Sequence, residues 1–231
     1  MRLRIGILAL MAAALAAVGC SKSEPEAARP AQAAPAEASA PVQAADGRLV
    51  IVAFGDSLTA GYGVAAGLSY PDYLQKEIDA AGYAYRVVNM GISGDTTSGG
   101  VNRMEEAVMR KPEIVILELG GNDGLRGLPL EATRRNLDEM AARFQSAGSK
   151  VLLAGMTLPR NYGPDYIKGF ESIYVDLAGQ KRMALIPFLL EGVATDPRLM
   201  QGDAIHPTAE GNRRVAATVF RYLKPMLKQA R

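Results

Sequence analysis

The chain has 231 residues, 48% of them hydrophobic, with 26 basic against 24 acidic side chains, one Cys, one His and no Trp. That length is ample for a sizeable core, and the weak net charge argues against a nucleic-acid partner. A single Cys and a single His exclude an internal disulfide framework, multi-cysteine zinc or iron–sulfur sites and multi-histidine metal centres. Any histidine-dependent chemistry therefore runs through His206.

Met1–Arg4 carries two cations, and Ile5–Val18 is a 14-residue apolar or small-residue run that ends at Gly19-Cys20. A bilayer span needs roughly 20 apolar residues, so this run predicts a signal peptide over residues 1–19. Ala17-Val18-Gly19-Cys20 resembles a bacterial lipobox. The resemblance implies acylation of Cys20, export and a lipid anchor in the envelope. Ser21, rather than Asp, after the Cys implies the outer membrane, facing the periplasm. The other reading is an ordinary cleavage site beside a chance Cys. Loss of Arg2 and Arg4 leaves 24 basic against 24 acidic side chains, so the exported protein is close to neutral.

Pro25, Pro30, Pro35 and Pro41 punctuate an alanine-rich stretch with no apolar periodicity. With the acylated Cys at its head, residues 20–46 are predicted to be a disordered tether. Fully extended, it would reach at most roughly 90 Å. One domain, residues 47–231, remains for function.

Leu49–Phe54 is a continuous β-rich run, as expected of a strand buried on both faces. Tyr70–Ala81 reads as a helix stopped by Gly82, and Tyr85–Asn89 as a second strand. A helix near Val101–Arg110, a strand at Ile114–Leu119 and a helix at Glu131–Ala147 ended by Gly148 follow. Val151–Ala154 is a fourth strand, Asp165–Gln180 a helix, Ala184–Ile186 a short fifth strand and Thr208–Lys224 the last helix. Strands alternating with helices predict an α/β architecture, a parallel sheet with helices on both faces. Its strand order cannot be read from the pattern.

Each strand runs into a polar or Gly-rich segment: Gly55-Asp56-Ser57-Leu58, Gly91-Ile92-Ser93-Gly94-Asp95, Gly120-Gly121-Asn122-Asp123, Met156-Thr157-Leu158-Pro159 and Asp203-Ala204-Ile205-His206. In an open parallel sheet the carboxyl ends of the strands share one edge, where ligands bind. Five segments dispersed over 150 residues are thus expected to converge on one crevice.

Gly55-Asp56-Ser57-Leu58, the glycine block after the second strand, Gly121-Asn122-Asp123 and Asp203-x-x-His206 resemble, in order, the four blocks of the SGNH (GDSL) hydrolases. Gly120–Gly127 and Leu158–Gly163 are similar to the branch with bacterial acyl-CoA thioesterase I, lysophospholipase and arylesterase activities. The resemblance implies a three-layer α/β/α flavodoxin-like fold with a five-stranded parallel sheet. It also implies an oxyanion hole made by the backbone N–H groups of Ser57 and Gly94 and the Asn122 side chain. Gly91 competes with Gly94 for that role, and Gly94 aligns better.

The residues carry a chemical logic of their own. A serine hydroxyl becomes a useful nucleophile only when a base takes its proton, and His206 is the available imidazole. Asp203, three residues earlier, can hold that imidazole from its other nitrogen, giving a Ser-His-Asp relay. Thr59 stands where the second glycine of a Gly-x-Ser-x-Gly elbow would be, so the serine sits on another kind of strand-to-helix turn. Asp56, Asp95 and Asp123 read as loop braces, and Arg126 and Arg160 as exposed loop charges. Met156, Leu158, Pro159 and Tyr162, with Leu125 and Leu128, are expected to form an apolar groove for an acyl chain.

These residues predict a monomeric serine esterase for short-to-medium acyl esters, aryl esters and thioesters, acting on a small acyl-ester or lipid-like substrate. No metal or organic cofactor is expected. Three alternatives stand beside it: an envelope carbohydrate O-deacetylase using the same site, a non-catalytic lipid-anchored binding protein, and a phospholipid-remodelling lysophospholipase that differs mainly in physiological substrate. The apolar loop argues against the first and the complete residue set against the second.

Overall fold

The structure is a computed structural model that describes residues 47–229. The signal peptide, Cys20 and the tether expected over residues 1–46 lie outside the described residues.

Five strands, β1 (Leu49–Gly55), β2 (Tyr85–Gly91), β3 (Ile114–Glu118), β4 (Lys150–Ala154) and β5 (Ala184–Ile186), form one sheet in the order β2-β1-β3-β4-β5. Every neighbouring pair is parallel, with Ile51 beside both Val87 and Ile114 in the central register. Strand β3 is buried along its whole length, and β1 from Ile51 onward. Their apolar runs therefore lack the alternation of a half-exposed strand.

Helices α1 (Ser57–Ala60) and α2 (Tyr70–Ala80) lie between β1 and β2, and α3 (Thr97–Val108) leads into β3. Helices α4 (Gly121–Leu125) and α5 (Leu130–Ser146) lead into β4, α6 (Pro164–Lys181) into β5, and α7 (Ala209–Leu223) closes the domain. The chain steps from β1 outward to β2, then back across β1 to β3, β4 and β5. With right-handed crossovers, that reversal sends α2 to one face and α3, α5 and α6 to the other. The packing agrees: α2 lies on α7, while α3 meets α5 and α5 meets α6. The reversal falls between β1 and β3, so the ligand crevice belongs beyond their carboxyl ends.

Two expectations change. Helices α1 and α4, four and five residues long, form where the sequence shows only polar or Gly-rich segments after β1 and β3. Helix α3 begins at Thr97, ahead of the expected Val101, capped by the Thr96 hydroxyl on the Gly99 N–H. Within it, Gly100 is a packing glycine. A Cβ there would stand 2.4 Å from Leu119 Cδ1 and 2.8 Å from Met140 Sδ.

Candidate active site

Ser57 opens α1 two residues beyond Gly55, the last residue of β1, and is 9% exposed. Asp56 caps this short helix, its carboxylate accepting from the Leu58 N–H at 3.0 Å. Gly55 must be glycine: a Cβ there would lie 2.1 Å from Thr59 Oγ1 and 2.4 Å from Glu118 Oε2.

The His206 Nε2 lies 2.8 Å from Ser57 Oγ, and its Nδ1 lies 2.6 Å from Asp203 Oδ2. A proton on Nδ1 donated to Asp203 leaves Nε2 as acceptor for the serine hydroxyl. The other Asp203 oxygen accepts the backbone N–H groups of Ile205 and His206, both at 3.0 Å. Partial burial pushes Asp203 upward, but the imidazole and these two N–H groups outweigh it and hold the carboxyl at about 2. The turn is tight enough to put Ala204 at φ 56°, a left-handed conformation a non-glycine residue enters at a cost.

Ser93 and Gly94 line the same cleft, and Gly94 takes a φ of 79°. Its carbonyl accepts from Arg126 Nη2 at 2.9 Å, so Arg126 holds the Gly94 turn rather than standing free as a loop charge. Gly91 is pressed against α1, where a Cβ would come within 2.2 Å of the Ala60 nitrogen. Asn122 also lines the cleft, but its Nδ2 donates to Asp56 Oδ2 at 3.1 Å and to the Asp95 carbonyl at 2.9 Å. Both amide hydrogens are engaged in this state, so stabilising an oxyanion requires Asn122 to exchange or share one bond.

Beneath the Ser57 turn lies a polar cluster that sequence reasoning missed. Glu118, wholly buried at the end of β3, accepts from the Thr59 hydroxyl at 2.7 Å and the Asp56 N–H at 3.2 Å. Tyr70 joins through a 3.1 Å contact with Thr59. Burial pushes Asp56 up to about 6 and Glu118 well above the usual carboxylate range, the nearby Asp56 charge adding to the latter. Glu118 Oε1 accepts from no donor among the described residues. Burial keeps the proton on Glu118. The available signal was an acid inside an otherwise apolar strand run.

Arg103, on α3, was also missed. It donates to Asp95 Oδ2 at 2.7 Å and to the carbonyls of Met90 and Gly55, each at 2.8 Å. Its guanidinium also lies 3.9 Å from the centre of the Phe54 ring. One side chain thus ties the ends of β1 and β2 to the Gly94–Asp95 turn.

A cleft of about 700 Å³ opens over Ser57 and His206. Met156, Leu158, Pro159 and Leu125 line it, as expected of the apolar groove, together with Phe188 and Met200. Tyr162 and Leu128 are not among its walls. The Tyr162 hydroxyl turns to the Leu125 carbonyl at 2.7 Å, where it braces the loop, and the Leu128 carbonyl accepts from Tyr166. Arg160 is exposed, as expected of a loop charge, and lines the cleft.

Residues 53–214 match the GDSL-like Lipase/Acylhydrolase family. The chain is 45% identical over 186 residues to the esterase TesA of Pseudomonas aeruginosa, covering 80% of this chain and 92% of that protein. It is 38% identical to an arylesterase of Vibrio mimicus, with the same two coverages. It is 36% identical to the thioesterase 1/protease 1/lysophospholipase L1 of Escherichia coli, covering 80% of this chain and 86% of that one. A crystal structure of TesA superposes with a TM-score of 0.75 at 44% identity, over 77% of this chain and 99% of that chain.

Proposed function

Since the chain belongs to the GDSL-like lipase/acylhydrolase family and is a carboxylic ester hydrolase of the arylesterase, thioesterase and lysophospholipase type, we propose that Ser57, His206 and Asp203 carry its reaction. The observation that supports this is the unbroken line of contacts from Asp203 through His206 to Ser57, at 2.6 and 2.8 Å. His206 takes the Ser57 proton as Oγ attacks the ester carbonyl. The oxyanion is held by the N–H groups of Ser57 and Gly94 and by Asn122. Loss of one such donor costs roughly 2.7–4 kcal/mol in the barrier. His206 then protonates the leaving alcohol or thiol, and water clears the acyl-enzyme by the same route in reverse.

The apolar walls around Met156, Leu158 and Leu125 suit a chain longer than acetyl, which favours an esterase over a carbohydrate O-deacetylase. Apolar recognition discriminates by only about 1–3 kcal/mol per methylene, so several acyl lengths are accepted. The enzyme is proposed to act as a monomer. Its anchor is the acylated Cys20, on the outer membrane facing the periplasm. There it meets envelope lipids and incoming esters rather than cytoplasmic CoA thioesters.

Ser57→Ala is expected to fold normally while losing ester hydrolysis and labelling by a fluorophosphonate probe. Retained hydrolysis in that variant would overturn the assignment, as would wild-type turnover by His206→Gln. Activity that collapses beyond acetyl esters would instead favour the deacetylase.

A further inference from the structure

Tyr62 is a large apolar side chain left 53% exposed, and it stands at the catalytic base. Its ring centre lies 4.5 Å from that of His206, the planes tilted by 42°, and it lines the cleft. Single exposed apolar side chains are ordinary; Tyr62 differs in that its ring packs on the His206 imidazole inside the cleft. Ile205, 43% exposed, and Ala204 line the same side.

The Tyr62 backbone is tied to Ser57 directly and to His206 through Gln201. The Tyr62 N–H donates to the Ser57 carbonyl at 3.0 Å, just past the left-handed Gly61 that ends α1. The Tyr62 carbonyl accepts from Gln201 Nε2 at 2.7 Å. Gln201 in turn donates its N–H to the His206 carbonyl at 2.7 Å and its Nε2 to the Pro207 carbonyl at 2.9 Å. Its amide packs so closely on Gly63 that a Cβ there would lie 2.1 Å from Gln201 Oε1. Tyr62 is therefore registered against the nucleophile on one side and the base on the other. Its binding surface is preorganised, which spares the entropy of ordering a loop.

Chemistry decides which part of the substrate this surface meets. As the tetrahedral intermediate collapses, the bond from carbon to the leaving oxygen breaks and its electron pair goes to that oxygen. The oxygen takes the proton on His206 Nε2, which came from Ser57 Oγ, while the acyl group stays on Ser57. The leaving oxygen must then lie against His206 Nε2, and whatever it carries lies beside the imidazole, where Tyr62 stands. Leu125 shares α4 with Asn122, and Met156 and Leu158 pack on Gly121 and Gly124 of the same helix, so these apolar walls lie on the Asn122 side of the cleft.

We propose that Tyr62 is a leaving-group platform, which stacks on planar aromatic alcohols and selects their esters over those of small alkyl alcohols. The proposal rests on the assignment of Ser57 and His206 above. Aromatic pairs contribute about 0.5–1.5 kcal/mol beyond area burial. The platform acts only before the alcohol departs, so it acts on acylation and not on breakdown of the acyl-enzyme.

The test measures kcat/KM of the full-length protein on phenyl, 2-naphthyl and ethyl butyrate, which share one acyl group. Comparing each variant with wild type cancels the intrinsic reactivity of the three alcohols. Tyr62→Ala should lower the aryl-over-ethyl selectivity by about 3–10-fold, and Tyr62→Phe should restore it. Equal losses on aryl and ethyl esters would reveal a merely structural residue and overturn the proposal, as would unchanged selectivity. Should Ser57→Ala keep its activity, the site assignment itself falls. Should Ser57→Ala be inactive while Tyr62→Ala keeps wild-type selectivity, only the platform falls.

Discussion

Glu118 and Asp203 are both acids near one serine, and their surroundings drive them in opposite directions. Burial keeps the proton on Glu118 and lifts Asp56 to about 6, so both folded values lie above the unfolded ones. Over pH 4–6 the native state binds more protons than the unfolded chain, so this cluster loses stability as pH rises. Asp203 works the other way: held at about 2, it supports the fold above pH 4 and loses that support as pH falls toward 2. Glutamine at position 118 is the neutral counterpart of a protonated glutamate and keeps an acceptor for the Thr59 hydroxyl and the Asp56 N–H. Glu118→Gln should therefore keep activity at pH 7 and flatten the decline in Tm between pH 4 and 6. Glu118→Ala should be destabilised by about 1–3 kcal/mol, because it strands buried donors. A steeper pH dependence in Glu118→Gln, read by thermal scans, would contradict the protonated assignment.

At the scale of elements, α3 does more than cross from β2 to β3. Arg103 and Asp95 form an ion pair 10% and 11% exposed, at the junction of two strand ends and the Gly94 turn. Removing one member of a buried pair strands the other charge. Arg103→Leu is expected to cost about 3–5 kcal/mol, with kcat falling more than KM rises as Gly94 loses its register. Adding Asp95→Asn should recover part of the stability, measurable by urea unfolding. Gly100→Ala should cost about 1–3 kcal/mol through overpacking against Leu119 and Met140. This helix also shows where sequence reading stops. Its apolar second half is periodic enough to be read from Val101 onward. Thr97-Ser98-Gly99-Gly100 carries turn chemistry locally, and only the neighbouring layer explains why glycine belongs there. The five strands could be read because their apolar runs are continuous, whereas α1 and α4 are too short to show a helical period. Ser57, Asn122, Asp203 and His206 were legible as residues that follow strands. Tyr62, Gln201 and Arg103 were not, because no motif marks them and their roles come from the folded contacts: Gln201 meets Tyr62 across 139 positions and Arg103 meets Gly55 across 48.

For the whole molecule, the strand order was the missing piece, since no local pattern encodes which strands become neighbours. The order β2-β1-β3-β4-β5 puts Ser57 and Asn122 after the two strands that flank the reversal. The anchor proposal belongs at this scale too. Cys20→Ala is expected to move the enzyme from the membrane fraction to the soluble periplasmic extract, with turnover per molecule unchanged. A fatty-acid analogue should label the parent protein and not the variant, and equal labelling of both would exclude Cys20 as the anchor.

The serine and its base are 149 positions apart in the chain. Loop closure over such a span is slow relative to local helix formation, and native contacts so distant are won late. A nascent or partly refolded chain thus carries an unarmed hydroxyl until its final helix docks. In a refolding experiment, regain of ester hydrolysis should trail regain of the helical circular-dichroism signal. The order of synthesis provides its own safety catch: the proposed nucleophile is made first, and the proposed base that arms it follows 149 residues later.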